Sequence, residues 1–98
     1  MIKVVQSQGR ATFTGALTRG TITRAFDKKY RKLVNNDALV LDFADVSQVD
    51  TAGLAWVLLL VELASEKKCK ISLSNMPGDF IKLATLSAVD GLLPIESQ

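Results

Sequence analysis

Asp50, Thr51 and Gly53 stand together at the head of the most apolar run in the chain, Val49–Leu63 (VDTAGLAWVLLLVEL), and theirs are the types and spacing that could do chemistry. A side-chain oxygen of Asp50 or Thr51 can accept an orphan backbone N–H of a first helical turn, which predicts a helix beginning at or next to Thr51. Gly53 leaves the backbone of that turn approachable, and the helix dipole lends it partial positive charge. The corner can therefore cap a helix, face an anion, or present a hydroxyl to another molecule. Bond-making at Thr51 would need a base beside the hydroxyl. The chain has no histidine, no paired acidic or Ser/Lys arrangement, and neither a GxxxxGK[ST] nor a GxGxxG loop. No catalytic residue is assigned.

The helix that positions this corner is apolar on two sides. At about 100° per residue, Leu54, Val57, Leu58, Val61 and Ala64 form one stripe, suited to docking on a sheet. Trp56, Leu59, Leu60 and Leu63 form a second, interrupted by Glu62, Glu66 and Lys67. Such a helix needs two neighbours, the second being a helix of the same domain or a partner protein. Ala52–Val61 is too short to span a membrane, which takes about 20 apolar residues.

The remaining elements follow from local pattern. Ile2–Gln6 and Arg10–Thr14 are β-prone runs separated by Ser7-Gln8-Gly9, an opening hairpin whose second strand turns Ala11 and Phe13 to the core and ends at Gly15. Ile22, Phe26, Tyr30 and Leu33 recur at helical spacing after the loop Ala16–Gly20, with Thr18 or Thr21 as cap. Asn35-Asn36-Asp37 is a turn, Ala38–Phe43 a buried strand, and Ala44–Gln48 the lead into the apolar helix. Lys70–Ser74 alternates as a strand with Ile71 and Leu73 inward. Pro77 suits a first helical position. Phe80, Leu83, Ala84 and Ser87 line a third helix ending near Gly91, and Leu92–Ile95 is a candidate last strand. The order β-β-α-β-α-β-α(-β) implies an α/β domain, a mixed four- to five-stranded sheet with helices packed over it, whose strand-to-helix turn Asp50–Gly53 is where a site belongs.

Composition narrows the function. With 98 residues, 48% hydrophobic and 22% charged, the chain reads as one globular domain spanning residues 1–98. A lone Cys69 forms no internal disulfide, reads as a buried thiol and fits a reducing compartment; without histidine a zinc or redox-metal site has almost nothing to use. The first residues, MIKVVQSQGRATF, lack the apolar core of a signal peptide, so a cytoplasmic protein is expected. Net charge is +2 and aromatic content 6%, which gives nucleic acid little to bind. Charge is nevertheless uneven: Arg24, Lys28, Lys29, Arg31 and Lys32 crowd one segment around Asp27, a solvated helix face or a surface for an acidic protein or anionic headgroups.

The VDTAGLA turn, behind an LDF strand and ahead of an apolar helix, resembles the signature of STAS domains, the fold shared by anti-sigma-factor antagonists and sulfate-transporter tails. FTGALT resembles that family's Gly-Glu-Leu-Asp loop, and LSAVDGLLPI is similar to its final helix and strand, so the likeness spans essentially the whole chain. Its MlaB-like branch, the small subunits of ABC systems that move phospholipid in Gram-negative envelopes, shares the DT-small-G turn. The resemblance implies a STAS fold and a non-enzymatic regulatory subunit, without cofactor, that binds and stabilises a cytoplasmic (MlaF-like) ABC ATPase of a transporter maintaining outer-membrane lipid asymmetry. It would reach the inner membrane only through its partners. Thr51, Ala52, Gly53, Ala55, Trp56 and Leu59 would form the contact, with Thr18 and Arg19 nearby; Trp56 is the anchor if exposed, Leu59 and the turn if it is buried. The alternative implied is an anti-sigma-factor antagonist controlled by phosphorylation at Thr51. Ala52 occupies the position where those antagonists carry their phosphorylated hydroxyl, and Thr18 replaces a common acidic residue, so the usual relay lacks its usual groups.

Overall fold

The computed structural model describes residues 2–35 and 37–95. Four strands, β1 (Ile2–Ser7), β2 (Arg10–Leu17), β3 (Ala38–Val49) and β4 (Lys70–Ser74), form one sheet in the order β1-β2-β3-β4. Gln8 and Gly9, at φ 49° and 78°, make the two-residue turn of the β1–β2 hairpin. β2, β3 and β4 run parallel. They are joined by α1 (Arg24–Tyr30) and α2 (Thr51–Glu66), and α3 (Gly78–Leu86) follows β4.

Each crossover steps the same way along the sheet. Right-handed connections then lay their helices on one face, and the other stays open. Alternation in the strands matches this: Ala11, Phe13, Leu39, Leu41, Phe43 and Leu73 are buried on the helical side, while Lys3 and Val5 are exposed on the other. On the open face Arg10 donates to Asp42 Oδ2 through Nη2 (2.9 Å) and Nε (3.1 Å), and Asn75 and the Ala44 backbone N–H donate to Oδ1 at 3.0 and 2.9 Å. The acidic interruption of the β3 run is the centre of that network, which also takes in Ser74 Oγ, 3.3 Å from Arg10.

Both central strands outrun their expected lengths. β2 passes through Gly15, at φ 108°, to Leu17, and β3 absorbs the segment 44–48. The pairing slips at Thr12/Thr14 and again at Gly15/Ala16. These irregularities break the alternation that marks a strand in sequence.

The two apolar stripes of α2 are the edges of one broad buried face. Gly53, Val57, Leu60 and Ala64 run along its middle, with Leu54 and Trp56 to either side. Trp56 meets Phe26 of α1 at 5.0 Å and Phe13 of β2 at 5.9 Å between ring centroids, so the second neighbour of α2 is a helix of the same domain. Phe43 stacks on Phe13 at 5.3 Å and meets Phe80 of α3 at 5.5 Å. Each such buried ring contributes about 2 kcal/mol or more.

Three boundaries move. Thr23, not Thr18 or Thr21, caps α1, its Oγ1 accepting the Phe26 N–H at 3.1 Å. Pro77 precedes α3 in an extended conformation rather than opening it, and Ser87 is exposed. The candidate fifth strand reduces to a 3-10 turn, Asp90–Leu92, and a single parallel bridge of Ile95 to Leu73. Cys69 is buried and free. Among the described residues no helix is long and apolar enough to cross a membrane.

Candidate functional site

The C-terminal ends of β2 and β3 lie side by side, Leu17 opposite Val49, and deliver the loop after β2 and the head of α2 to one corner. Asp50 fastens them. Its Oδ1 accepts the Gly53 N–H at 3.0 Å, which caps α2, and its Oδ2 accepts the Arg19 N–H at 2.9 Å, which ties down the loop. The Arg19 N–H does most to hold the Asp50 carboxyl below the usual range; burial opposes it, and the N–H groups of Gly53 and Ala52 add to it. With each oxygen engaged by a backbone donor, Asp50 is a clamp rather than a base for Thr51.

The loop is shaped by Thr21. Its Oγ1 accepts the Thr18 N–H at 3.0 Å and its hydroxyl donates to the Ala16 carbonyl at 2.8 Å, while the N–H groups of Thr21 and Ile22 both return to Thr18 O. Thr18 and Arg19 are thereby brought to the helix corner. The hydroxyl at position 21 was read there as a cap and is a loop pin instead.

Thr51 is the first residue of α2, exposed, and relieved of the capping role by Asp50. Ala52 is half-buried, Ala55 exposed and Leu59 half-buried, so a small-residue surface with one larger apolar side chain runs from the corner along the helix. Gly53 departs from this surface. A Cβ there would overlap the carbonyl oxygen of Leu17, so Gly53 allows strand and helix to touch, and its amide belongs to Asp50. Trp56 is only 4% exposed, its indole N–H donating to Asp27 Oδ1 at 2.9 Å. The condition for Trp56 to act as an anchor is not met, and Leu59 is the larger apolar side chain left half-exposed beside the turn.

Hollows flank the ridge. One, lined by Ile22, Thr23, Arg24, Asp27, Ala55, Trp56 and Leu59, lies between α1 and α2. Another, lined by Val49, Asp50, Thr51, Asp79, Lys82, Leu83 and Leu86, lies between α2 and α3, where Leu86 is 79% exposed. Of the residues bordering these hollows, Arg24 and Asp27 belong to the charged segment that stands out in sequence, whereas those of α3 have only ordinary amphipathic spacing. Chemically the corner offers a spare hydroxyl, a half-apolar ridge and a fixed loop, with Asp79 and Lys82 in the hollow beside Thr51.

No curated protein sequence matches the chain. Among solved structures, the anti-sigma factor antagonist SpoIIAA in its unphosphorylated form superimposes with a TM-score of 0.71 at 12% identity, over 100% of this chain and 90% of that one. At that identity the likeness speaks for the fold: a mixed α/β sheet with helices, arranged as in that STAS protein. STAS domains are regulatory or accessory modules that mediate protein–protein interactions. The family model described as "Mlab, STAS domain" matches residues 5–94, and the chain belongs to that family.

Proposed function

We propose that the chain is a non-enzymatic docking subunit whose Thr51 corner binds and stabilises the ATPase of an ABC-type phospholipid transporter of the outer-membrane lipid-asymmetry class. It works in the cytoplasm and is held to the inner membrane through its partners. The observation that carries the reading is the division of labour at the corner: Asp50 does the capping, which leaves the Thr51 hydroxyl exposed on a ridge of Ala52, Ala55 and Leu59. Small side chains let a partner helix approach closely, and a hydroxyl at the centre supplies direction without a charge to desolvate. Arg19, pinned to the same carboxylate, and Thr18, held by Thr21, border the contact.

The test is co-purification from membranes of cells expressing the tagged chain, with mass spectrometry of what it retains. An ABC ATPase with its permease supports the reading; a histidine-kinase-like anti-sigma factor in their place overturns it in favour of the antagonist alternative. Thr51→Glu places a carboxylate where the helix dipole favours it but a close interface does not. Its stability should stay within about 0.5 kcal/mol of the parent, while ATPase retention falls about tenfold or more. Undiminished retention by Thr51→Glu would remove Thr51 from the contact.

A further inference from the structure

α1 and the turn after it meet the C-terminal half of α2 around a hollow lined by Asp27, Lys28, Arg31, Lys32 and Lys67. Asp27 does not neutralise it. Its carboxylate is already shared between Arg31, at 2.7 Å, and the Trp56 indole, at 2.9 Å. Among the described residues the ion pairs within 4.0 Å are Arg10–Asp42 and Arg31–Asp27. Lys28, Lys32 and Lys67 therefore bring uncompensated charge to one concavity, whose residues carry more positive charge than the +2 of the whole chain.

This hollow does not end at Asp27. The same residue lines the neighbouring hollow of Ile22, Thr23, Arg24, Ala55, Trp56 and Leu59, so two hollows adjoin at Asp27 to make a stepped trough along α1 and α2, the first mostly cationic and the second carrying apolar side chains beside Arg24. A flat bilayer has no side chains to place in two adjoining concavities. A polypeptide fills both ends, with an apolar side chain over Leu59 and carboxylates among the lysines.

We propose that the trough between α1 and α2 binds an acidic peptide segment, anchored by an apolar residue beside Leu59 and by carboxylates at Lys28, Lys32 and Lys67. This goes beyond docking at Thr51 and does not require the partner to be an ATPase. The attraction is electrostatic and partly exposed, so it weakens as salt screens it.

The probe is a fluorescently labelled peptide in which leucines precede a run of aspartates and glutamates, titrated into the full chain and followed by anisotropy. The same peptide with lysines for its acids, and vesicles of phosphatidylglycerol in phosphatidylcholine, serve as competitors. The acidic peptide should bind, added salt should release it, and neither competitor should displace it. The Lys28→Glu, Lys32→Glu, Lys67→Glu triple variant should bind it about tenfold or more weakly, and the corresponding arginine variant should match the parent. Circular dichroism checks that the exposed substitutions leave the fold intact, and the triple glutamine variant, expected to weaken binding in the same direction, replaces the glutamate one if they do not. Thr51→Glu should bind the peptide normally, which separates a failure here from a failure of the docking reading. Equal binding of acidic and basic peptides, unchanged affinity in the charge-altered variant, or displacement of the peptide by the vesicles overturns the proposal.

Discussion

Asp50 and Asp42 both join segments that are far apart in the chain, yet they do so with different partners. Asp50 holds the backbone N–H groups of Arg19 and Gly53, and Asp42 holds the side chains of Arg10 and Asn75 together with one backbone N–H, that of Ala44. At Asp42 the neighbouring side chains are consumed by the network. At Asp50 they are spared: main-chain donors do the fastening, and Thr51, Ala52 and Ala55 remain available to face outward. A corner built on backbone hydrogen bonds can keep its shape while its exposed side chains vary, which is why docking is proposed there and not at Asp42.

Substitutions can break this contrast in order of expected severity. Gly53→Ala should be worst, at about 3 kcal/mol, because the new methyl must displace the Leu17 backbone, not a flexible side chain. Urea denaturation measures it, and parent-like stability would mean strand and helix do not touch there. Asp42→Ala strips Arg10 and Asn75 of their acceptor and should cost about 2 kcal/mol. Asp50→Ala should cost about 1 kcal/mol, the worth of a cap. Asp50→Ser sharpens the comparison: it restores the cap but not the tie to Arg19, so stability should largely return while partner retention does not.

Acid gives the smallest and most telling effect. Burial pushes the Asp42 carboxyl upward, but the Ala44 N–H, Asn75 and Arg10 outweigh it; Asp50 is lowered chiefly by the Arg19 N–H. Asp27 is lowered as well, chiefly by its hydrogen bond from Arg31. Carboxyls depressed in the folded state bind fewer protons than in the unfolded chain. Their stabilisation is therefore complete above the ordinary aspartate range, near about pH 4, and is lost as pH falls through the lowered values. Asp42→Ala and Asp50→Ala should each flatten the acid limb of a stability-versus-pH curve, and an unchanged slope in either would show that carboxylate to be idle.

Much of this was legible in the sequence, because local rules governed it. The hairpin turn, the order of elements, the start of α2 and the nearness of its two apolar sides to two neighbours all follow from spacing and residue type. The reach of β2 and β3 did not, since two register slips spoil the alternation, and Gly15 reads as a terminator when it is a tolerated kink. The roles within the corner were only half visible. Asp50 and Thr51 are both capping types, and only the geometry shows that Asp50 takes the work and leaves Thr51 spare. Whether Trp56 is exposed or buried stays open in the sequence because its partners, Phe26 and Asp27, lie about 30 positions earlier on another helix, a relation that no local pattern encodes.

Trp56, the single tryptophan of the chain, lies where α1, α2 and β2 meet, its indole N–H held by a carboxylate of α1. A lone fluorophore at that seam makes the molecule self-reporting. Lifting α1 away would wet the ring and remove its acceptor, shifting the emission to longer wavelength before the sheet gives way, whereas a chain that opens all at once would show that change only together with the loss of far-ultraviolet dichroism.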